Sequence, residues 1–383
     1  MSASGRAGKY ITQPTGYRAF IPANLPPNPP VSMDRLMQRL LSDADRALGG
    51  LDKAHSTLPA PDLFVEMYVH QEAVLSSRIE GTQSTLEDVL EYEATRSTQR
   101  RPKDVQEVAN CARAAEYGLA RLKEFPLSLR LLREMHAELF RGIRTGSVTP
   151  GEFRTTQNWI GPAGCALNEA VFVPPPPHEM RAALHNFEKF IRDLRSLPVL
   201  IHCGLAHAQF EMIHPFVDGN GRMGRLLITL LLCQHEALQR PVLYLSRYLA
   251  ARRDEYYESL SGVHDDGDWE KWLTFFLRAV LDVSKEATAK VDAIRDMREA
   301  HRQLVAGKLS RLSYAAALLD LLLQHPVVDA RMVEKALGCT YPTANNAIER
   351  FVELGLLSEV TSQQRYRLFR YEPYLELFKE RRE

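Results

Sequence analysis

Cysteine is scarce in this chain: the 383 residues hold five, Cys111, Cys165, Cys203, Cys233 and Cys339, with no CxxC pair among them. An odd, dispersed set builds neither a disulfide framework nor a zinc knuckle, and it points to a reducing compartment. Long apolar runs are also lacking. The strongest, Leu226 to Cys233 (LLITLLLC), falls far short of the roughly 20 residues a membrane helix needs. The first residues, MSASGRAGKY, have no apolar stretch after their basic residues, so no secretion signal is read there. Nor is there an excess of either charge. Lys+Arg and Asp+Glu number 48 each, which leaves no net field to steer the chain onto nucleic acid or an anionic membrane. With 45% hydrophobic and 25% charged residues, a disordered or fibrous chain is excluded. A cytoplasmic, mainly α-helical protein with no membrane partner is expected.

Residues 1–32 are poor in periodicity and rich in proline, ending in Pro26-Pro27-Asn28-Pro29-Pro30, and predict an extended arm over the surface. Residues 33–122 predict a helical region, with one apolar stripe at Leu36, Leu40, Leu41 and Leu48 and another at Phe64, Met67, Tyr68 and Leu75. Residues 123–282 predict a helical core interrupted once, between Gly146 and Pro177. There Asn158-Trp159-Ile160 and Ala170-Val171-Phe172-Val173 read as short extended segments of a projecting hairpin, stopped by Pro174 to Pro177. A linker helix is expected over 283–309. Over 310–383, helices at 315–323, 330–337 and 341–354 precede two short strands, 356–360 and 366–369. That order is the layout of a winged helix-turn-helix.

The most informative stretch is His214-Pro215-Phe216-Val217-Asp218-Gly219-Asn220-Gly221-Arg222-Met223-Gly224-Arg225. Gly219 and Gly221 let a backbone turn tightly and approach an anion without a Cβ clash. The apolar run that follows is helical, so the loop sits at a helix N-terminus, where free N–H groups and the dipole favour phosphate. Arg222 and Arg225, three apart, project from one side of the first turn and suit the phosphates of a nucleotide. Asp218 offers a hard oxygen for Mg²⁺, which sits between carboxylates and substrate phosphates. Asn220 can donate to a phosphate oxygen, and His214 is the nearby group suited to accept a hydroxyl proton at neutral pH.

HPFVDGNGRMGR resembles the Fic family signature, HxFx(D/E)GNGRxxR, with every specified position filled. The resemblance runs from about Gly16 to about Arg302, and a winged helix is a common companion of the family. It implies a Fic-type helical core that binds ATP with Mg²⁺ and transfers AMP to a Ser, Thr or Tyr hydroxyl of a protein. His214 would be the general base, and Asp218 the metal ligand. Gly219, Asn220 and Gly221 would form the anion nest, with Met223 and Gly224 in the same stretch, and Arg222 and Arg225 would hold the triphosphate. In the relative Doc, which phosphorylates its target, alanine and lysine replace the glycines corresponding to Gly219 and Gly221. Glycine at both positions favours AMP transfer.

Ser76-Ser77-Arg78-Ile79-Glu80-Gly81 is similar to the family's inhibitory motif, (S/T)xxxE(G/N), which implies that Glu80, with Ser76 and Gly81, pairs with Arg225 and displaces the γ-phosphate. The same glutamate supports removal of AMP in some members, so the reverse reaction stays open. Val171, Phe172 and Val173 resemble the family flap, whose edge pairs with a target backbone. Tyr256 stands where relatives place a tyrosine against adenine. Gly151-Glu152-Phe153-Arg154 reads as scaffold, His136 as a core histidine, and His202, Cys203, His207 and His214 are too irregularly spaced for zinc. From Lys308 onward 11 basic residues face 10 acidic ones, and only Arg365, Arg367 and Arg370 give the wing a basic character. DNA, another protein and a second copy of the chain thus all remain candidate partners of the winged helix. The rival to a self-inhibited adenylyltransferase is a DNA-binding regulator that only senses ATP, with Doc-like kinase chemistry as the other alternative.

Overall fold

The structure, a computed structural model, describes residues 3–58, 61–95, 104–143, 146, 148–162, 164–310, 312–360 and 367–378. A β-hairpin comes first, β1 (Gly8–Thr12) and β2 (Arg18–Pro22). It is followed by helices α1 (Arg35–His55), α2 (Pro61–Ile79), α3 (Leu86–Thr95), α4 (Val105–Leu122) and α5 (Leu129–Leu139). After an irregular segment come α6 (Pro177–Arg192), α7 (Val199–Ile213), α8 (Asn220–Gln234), α9 (Ser246–Ala251), α10 (Arg253–Asp266) and the long α11 (Trp269–Lys308). The C-terminal part holds α12 (Ala315–Leu322), β3 (Val327–Asp329), α13 (Ala330–Leu337), α14 (Tyr341–Glu353), β4 (Ser358–Glu359), β5 (Leu368–Arg370) and α15 (Glu372–Glu376).

Local chemistry sets many of these boundaries. Asp34, Ser128, Asp268 and Asp329 each accept a backbone N–H of the first turn of α1, α5, α11 and α13, filling a donor that a helix start otherwise leaves open. Gly338 closes α13 in the left-handed conformation (φ 61°), which a side chain would resist. Helix α7 is buried on nearly every side, as is α8 beyond its first turn. Such helices form the centre of a multi-helix body, and the surface helices pack around them. Trp272 of α11 donates Nε1–H to Gly204 O of α7 at 2.8 Å. A Cβ on Gly204 would lie 2.7 Å from Leu273, so glycine permits this close crossing.

The structure corrects several expectations. Residues 1–32 do not form a plain extended arm. Tyr10 pairs with Phe20 across the β1–β2 hairpin, and Phe20, fully buried, packs on Phe172, Tyr10 and His264. In α1 the seam is Met37, Ala44, Leu48 and Leu51, whereas Leu36 is 63% exposed. The expected break between core and linker at 282/283 falls inside α11, one continuous helix. The wing sheet has a third strand, β3, paired with β5 in the order β3-β5-β4; Arg365 lies outside the described residues. Among the described residues, the projecting hairpin reduces to one antiparallel bridge, Ile160 to Phe172. The fold class, mainly α with a small flap and a C-terminal winged helix-turn-helix, stands.

Phe20→Ala should lower stability by about 3 kcal/mol, the usual range for emptying a buried aromatic site. Denaturant unfolding checks this. A loss below about 1 kcal/mol, the range of surface substitutions, would mean the hairpin is a surface addition.

Candidate active site

Helices α7 and α8 are joined by a short loop, and the site is built on that joint. His214 caps α7 in the left-handed region (φ 48°, ψ 61°), unusual for a non-glycine residue and maintained only by surrounding structure. Its N–H donates to Phe210 O at 2.9 Å, and its carbonyl accepts Nε–H of Arg154 at 2.9 Å. The Nδ1 atom lies 3.3 Å from Glu211 O. A carbonyl only accepts, so the proton sits on Nδ1 and Nε2 keeps its lone pair. Burial, helped by the Arg154 charge, pushes the imidazole pKa down to about 4, so the ring is neutral at physiological pH.

Gly219 starts α8 with φ 81°, and a Cβ there would lie 2.9 Å from Leu139 and 3.0 Å from Phe140. The first α8 bond is Met223 N–H to Gly219 O, which leaves the preceding N–H groups without a helical acceptor, the usual basis of an anion site. The Asp218 carboxylate, 63% exposed, accepts Gly219 N–H at 2.6 Å and is available to a hard cation. Asn220 departs from its sequence reading. Its Oδ1 accepts Phe216 N–H and its Nδ2 donates to Phe216 O, so the buried amide closes the loop instead of facing a ligand. Met223 is fully buried and Gly224 faces Glu211; both are packing positions. Arg222 is nearly buried, over the Phe140 ring, with Glu107 at 3.8 Å and Asp218 at 3.9 Å. Its Nε–H has no partner among the described residues, and an unmade bond on a buried cation favours a further anionic partner.

Arg225 is bonded through two of its three guanidinium nitrogens. Its Nε–H donates to Ser76 Oγ at 2.8 Å, and its terminal nitrogen donates to Ser76 O at 2.9 Å and Glu80 Oε1 at 2.7 Å. Both acceptors come from the end of α2, where Gly81 turns the chain at φ 104°. Partial burial opposes the charged form of Glu80, but Arg225, then Arg222 and His214, hold its carboxyl below the usual range. A group so lowered is ionised at neutral pH, and its ion pair weakens only as the pH falls through that low value. A Cβ on Gly221 would lie 2.3 Å from Glu80 Oε1. The carboxylate therefore occupies the mouth of the anion nest.

Around this joint, Arg154 acts as a staple. Buried to 2%, it donates to the carbonyls of His214, Thr156 and Pro175, tying the flap to the loop. His136 stacks on Phe216 at 3.9 Å, accepts Gly151 N–H on Nδ1 and donates from Nε2 to Asp218 O. Of the flap residues, Val171 is 70% exposed, whereas Phe172 and Val173 are buried and Val173 O already accepts Phe20 N–H. Tyr256 is also placed differently from expectation. It is 1% exposed, its hydroxyl donates to His207 Nε2 at 2.8 Å, and its ring packs near Trp272 and Phe275. The adjacent Tyr257, 39% exposed under Arg253, presents the accessible ring.

Residues 38–120 match the Fic/DOC family N-terminal domain and residues 126–232 the Fic/DOC family domain. The chain belongs to the Fic/DOC family. Residues 316–369 match an HTH DNA binding domain. Among curated relatives, a probable protein adenylyltransferase of Aquifex aeolicus is 26% identical over 196 residues, 50% of this chain and 56% of the relative. The protein adenylyltransferase Fic of Drosophila grimshawi is 30% identical over 159 residues, 40% of this chain and 29% of the relative. The chain thus spans at most 56% of the length of either relative. A solved Fic family protein from Desulfovibrio desulfuricans superimposes with a TM-score of 0.57 at 22% identity, covering 89% of this chain and 97% of that one. A Fic domain containing signaling protein from Bacteroides thetaiotaomicron gives 0.52 at 20% identity, covering 65% and 97%. Both show a shared fold.

Sequence reading missed Glu211 and Arg154's full role. Glu211, one helical turn before His214, has Oε1 unpartnered among the described residues, and burial, offset by Arg225, pushes its carboxyl up to about 7. A glutamate inside an apolar helix was the available signal. The expected behaviour of His214 is checkable by NMR: its ring signal should stay flat from pH 8 to about 5.5, since its pKa is held near 4 by burial. A midpoint in the ordinary histidine range would mean the ring is solvated.

Proposed function

We propose that the chain is a protein adenylyltransferase that Glu80 holds inactive. The observation that carries this reading is the Glu80 carboxylate seated against Gly221 and bonded to Arg225, where a phosphate of ATP would otherwise sit. With that carboxylate withdrawn, the α8 N-terminus, Arg222 and Arg225 offer a preorganised cradle for the triphosphate. Mg²⁺ would be held by Asp218 together with phosphate oxygens, and when bound it neutralises phosphate charge. The target hydroxyl gives its proton to Nε2 of His214 while its oxygen bonds to the α-phosphorus. The bond from that phosphorus to the bridging oxygen breaks, and pyrophosphate leaves. The Nδ1–H to Glu211 O bond keeps the basic nitrogen turned outward, so positioning supplies most of the rate.

A protein substrate is supported by the exposed apolar side chains Trp159, Ile160 and Val171 beside the loop, a patch suited to receive an extended segment. On the winged helix, Arg350 pairs with Glu353, Arg367 with Glu359 and Arg370 with Glu91. This neutralisation favours a docking or control role over a phosphate-binding one.

Two substitutions test the reading. His214→Ala should cut AMP transfer by about 10²–10⁴-fold, the usual contribution of a general base, while ATP binding measured by calorimetry persists; residual transfer near wild type would remove His214 from that role. Glu80→Gly should raise the initial rate of AMP transfer, read by intact mass after incubation with ATP. A variant no faster than wild type at saturating ATP would sink the inhibitory part, and a mass gain of phosphate instead of AMP would indicate kinase chemistry.

A further inference from the structure

Helix α2 presents its two ends to different parts of the molecule. Its C-terminal end delivers Ser76 and Glu80 to Arg225. Roughly 14 to 24 Å from Glu80 along the helix axis, at 1.5 Å per residue, the stretch from Phe64 to Gln71 packs on the end of the winged helix. Phe378 lies against Phe64 and Tyr68 of α2, with ring centroids 6.4 and 5.8 Å apart, and is backed by Tyr374 at 5.3 Å. Gln71 Nε2 donates to Phe378 O at 2.8 Å, inside the protein. Lys290 of α11 lies over both the Phe378 and Tyr68 rings, at 4.8 and 5.1 Å. Arg370 pairs with Glu91 of α3, and His301 bonds the Tyr371 hydroxyl at 2.5 Å.

Between these ends α2 is buried on most sides. Its polar residues are tied outward one by one: His70 to Glu93 of α3, and Glu72 to the hydroxyl and N–H of Ser246. A helix packed in this way shifts as a unit, because close-packed interiors hold discrete arrangements and do not bend continuously.

We propose that the C-terminal segment of the winged helix, through Phe378 seated on Phe64, Tyr68 and Gln71, sets the position of α2 and thereby the grip of Glu80 on Arg225. This rests on the inhibitory reading given above and adds its control point: loosening the winged helix from α2 withdraws the glutamate. The thermodynamic link is reciprocal, so ATP seated in place of Glu80 weakens the docking of Phe378.

Phe378→Ala and Gln71→Met, each in the full chain, test the link. Gln71→Met keeps the side-chain volume and removes the bond to Phe378 O together with the weaker one from Lys290 Nζ at 3.3 Å, so it serves where Phe378→Ala is poorly folded. Each should raise the initial rate of AMP transfer at least about fivefold, the lower range of allosteric coupling. Neither should add to the rate of Glu80→Gly, where the grip is already gone. A rate unchanged in either variant while Glu80→Gly accelerates overturns the coupling and leaves the inhibitory reading standing. An increase that persists in the Glu80→Gly background also overturns it. Hydrogen exchange over residues 72–80 gives a readout independent of activity. Faster exchange in the variants supports the link, and unchanged exchange overturns it, even if Glu80→Gly itself proves no faster and the inhibitory reading falls.

Discussion

A guanidinium taken almost wholly out of water is the constraint on which this site depends. Arg225 exposes 2% of its side chain, and an unpaired charge there would be untenable. Its requirement for acceptors draws α2 against α8 and seats the Glu80 carboxylate beside Gly221. The two Ser76 bonds come from a helix end that is itself buried, whereas Glu80 lies just beyond it, on a turn and 38% exposed. The buried part of the grip and the partly exposed part are thus separated by four residues.

The opposite wall of the site is rigid for a different reason. The His214 backbone is strained, and every element that could relax it is tied down. Arg154 holds its carbonyl, His136 holds the carbonyl of Asp218, and Asn220 binds both polar groups of Phe216. These are neutral or charge-assisted bonds inside a packed region, where each broken partner leaves a buried group unsatisfied.

Much of this was legible in the chain itself, though unevenly. The glycines and arginines of the loop lie at the start of α8, as the apolar run after them predicts, because a helix N-terminus has a strong local signature. Ser76, Glu80 and Arg225 meet as the motif resemblance implies. What escaped was decided by tertiary contact. Tyr256 and Tyr257 are adjacent in sequence, and only the packing of α10 on α11 determines which ring is buried. Asn220 has the chemistry of a phosphate donor, but the carbonyl and N–H of Phe216 lie closer. The β1–β2 hairpin eluded a reading dominated by proline, since its strands take their burial from Phe172 and His264, far along the chain. Leu36 points outward because α1 uses a seam one residue further on.

Separation of the grip into a buried and a partly exposed part bears on how the proposed inhibition would be relieved. An exposed carboxylate on a charged partner contributes little, commonly below about 1 kcal/mol when solvated. Glu80 is only partly enclosed, so it acts by occupying space beside Gly221 more than by binding strength. A triphosphate brings several charges and many oxygens, and it would outcompete one carboxylate if affinity alone decided the contest. On the proposed reading, occlusion would depend on α2 being held where the carboxylate cannot retreat, and the packing of α2 would matter to inhibition as much as the ion pair. Ser76 would keep Arg225 aimed with or without a nucleotide. Only the acceptor at its outer nitrogen would change, so the arginine would need no reorganisation before meeting phosphate.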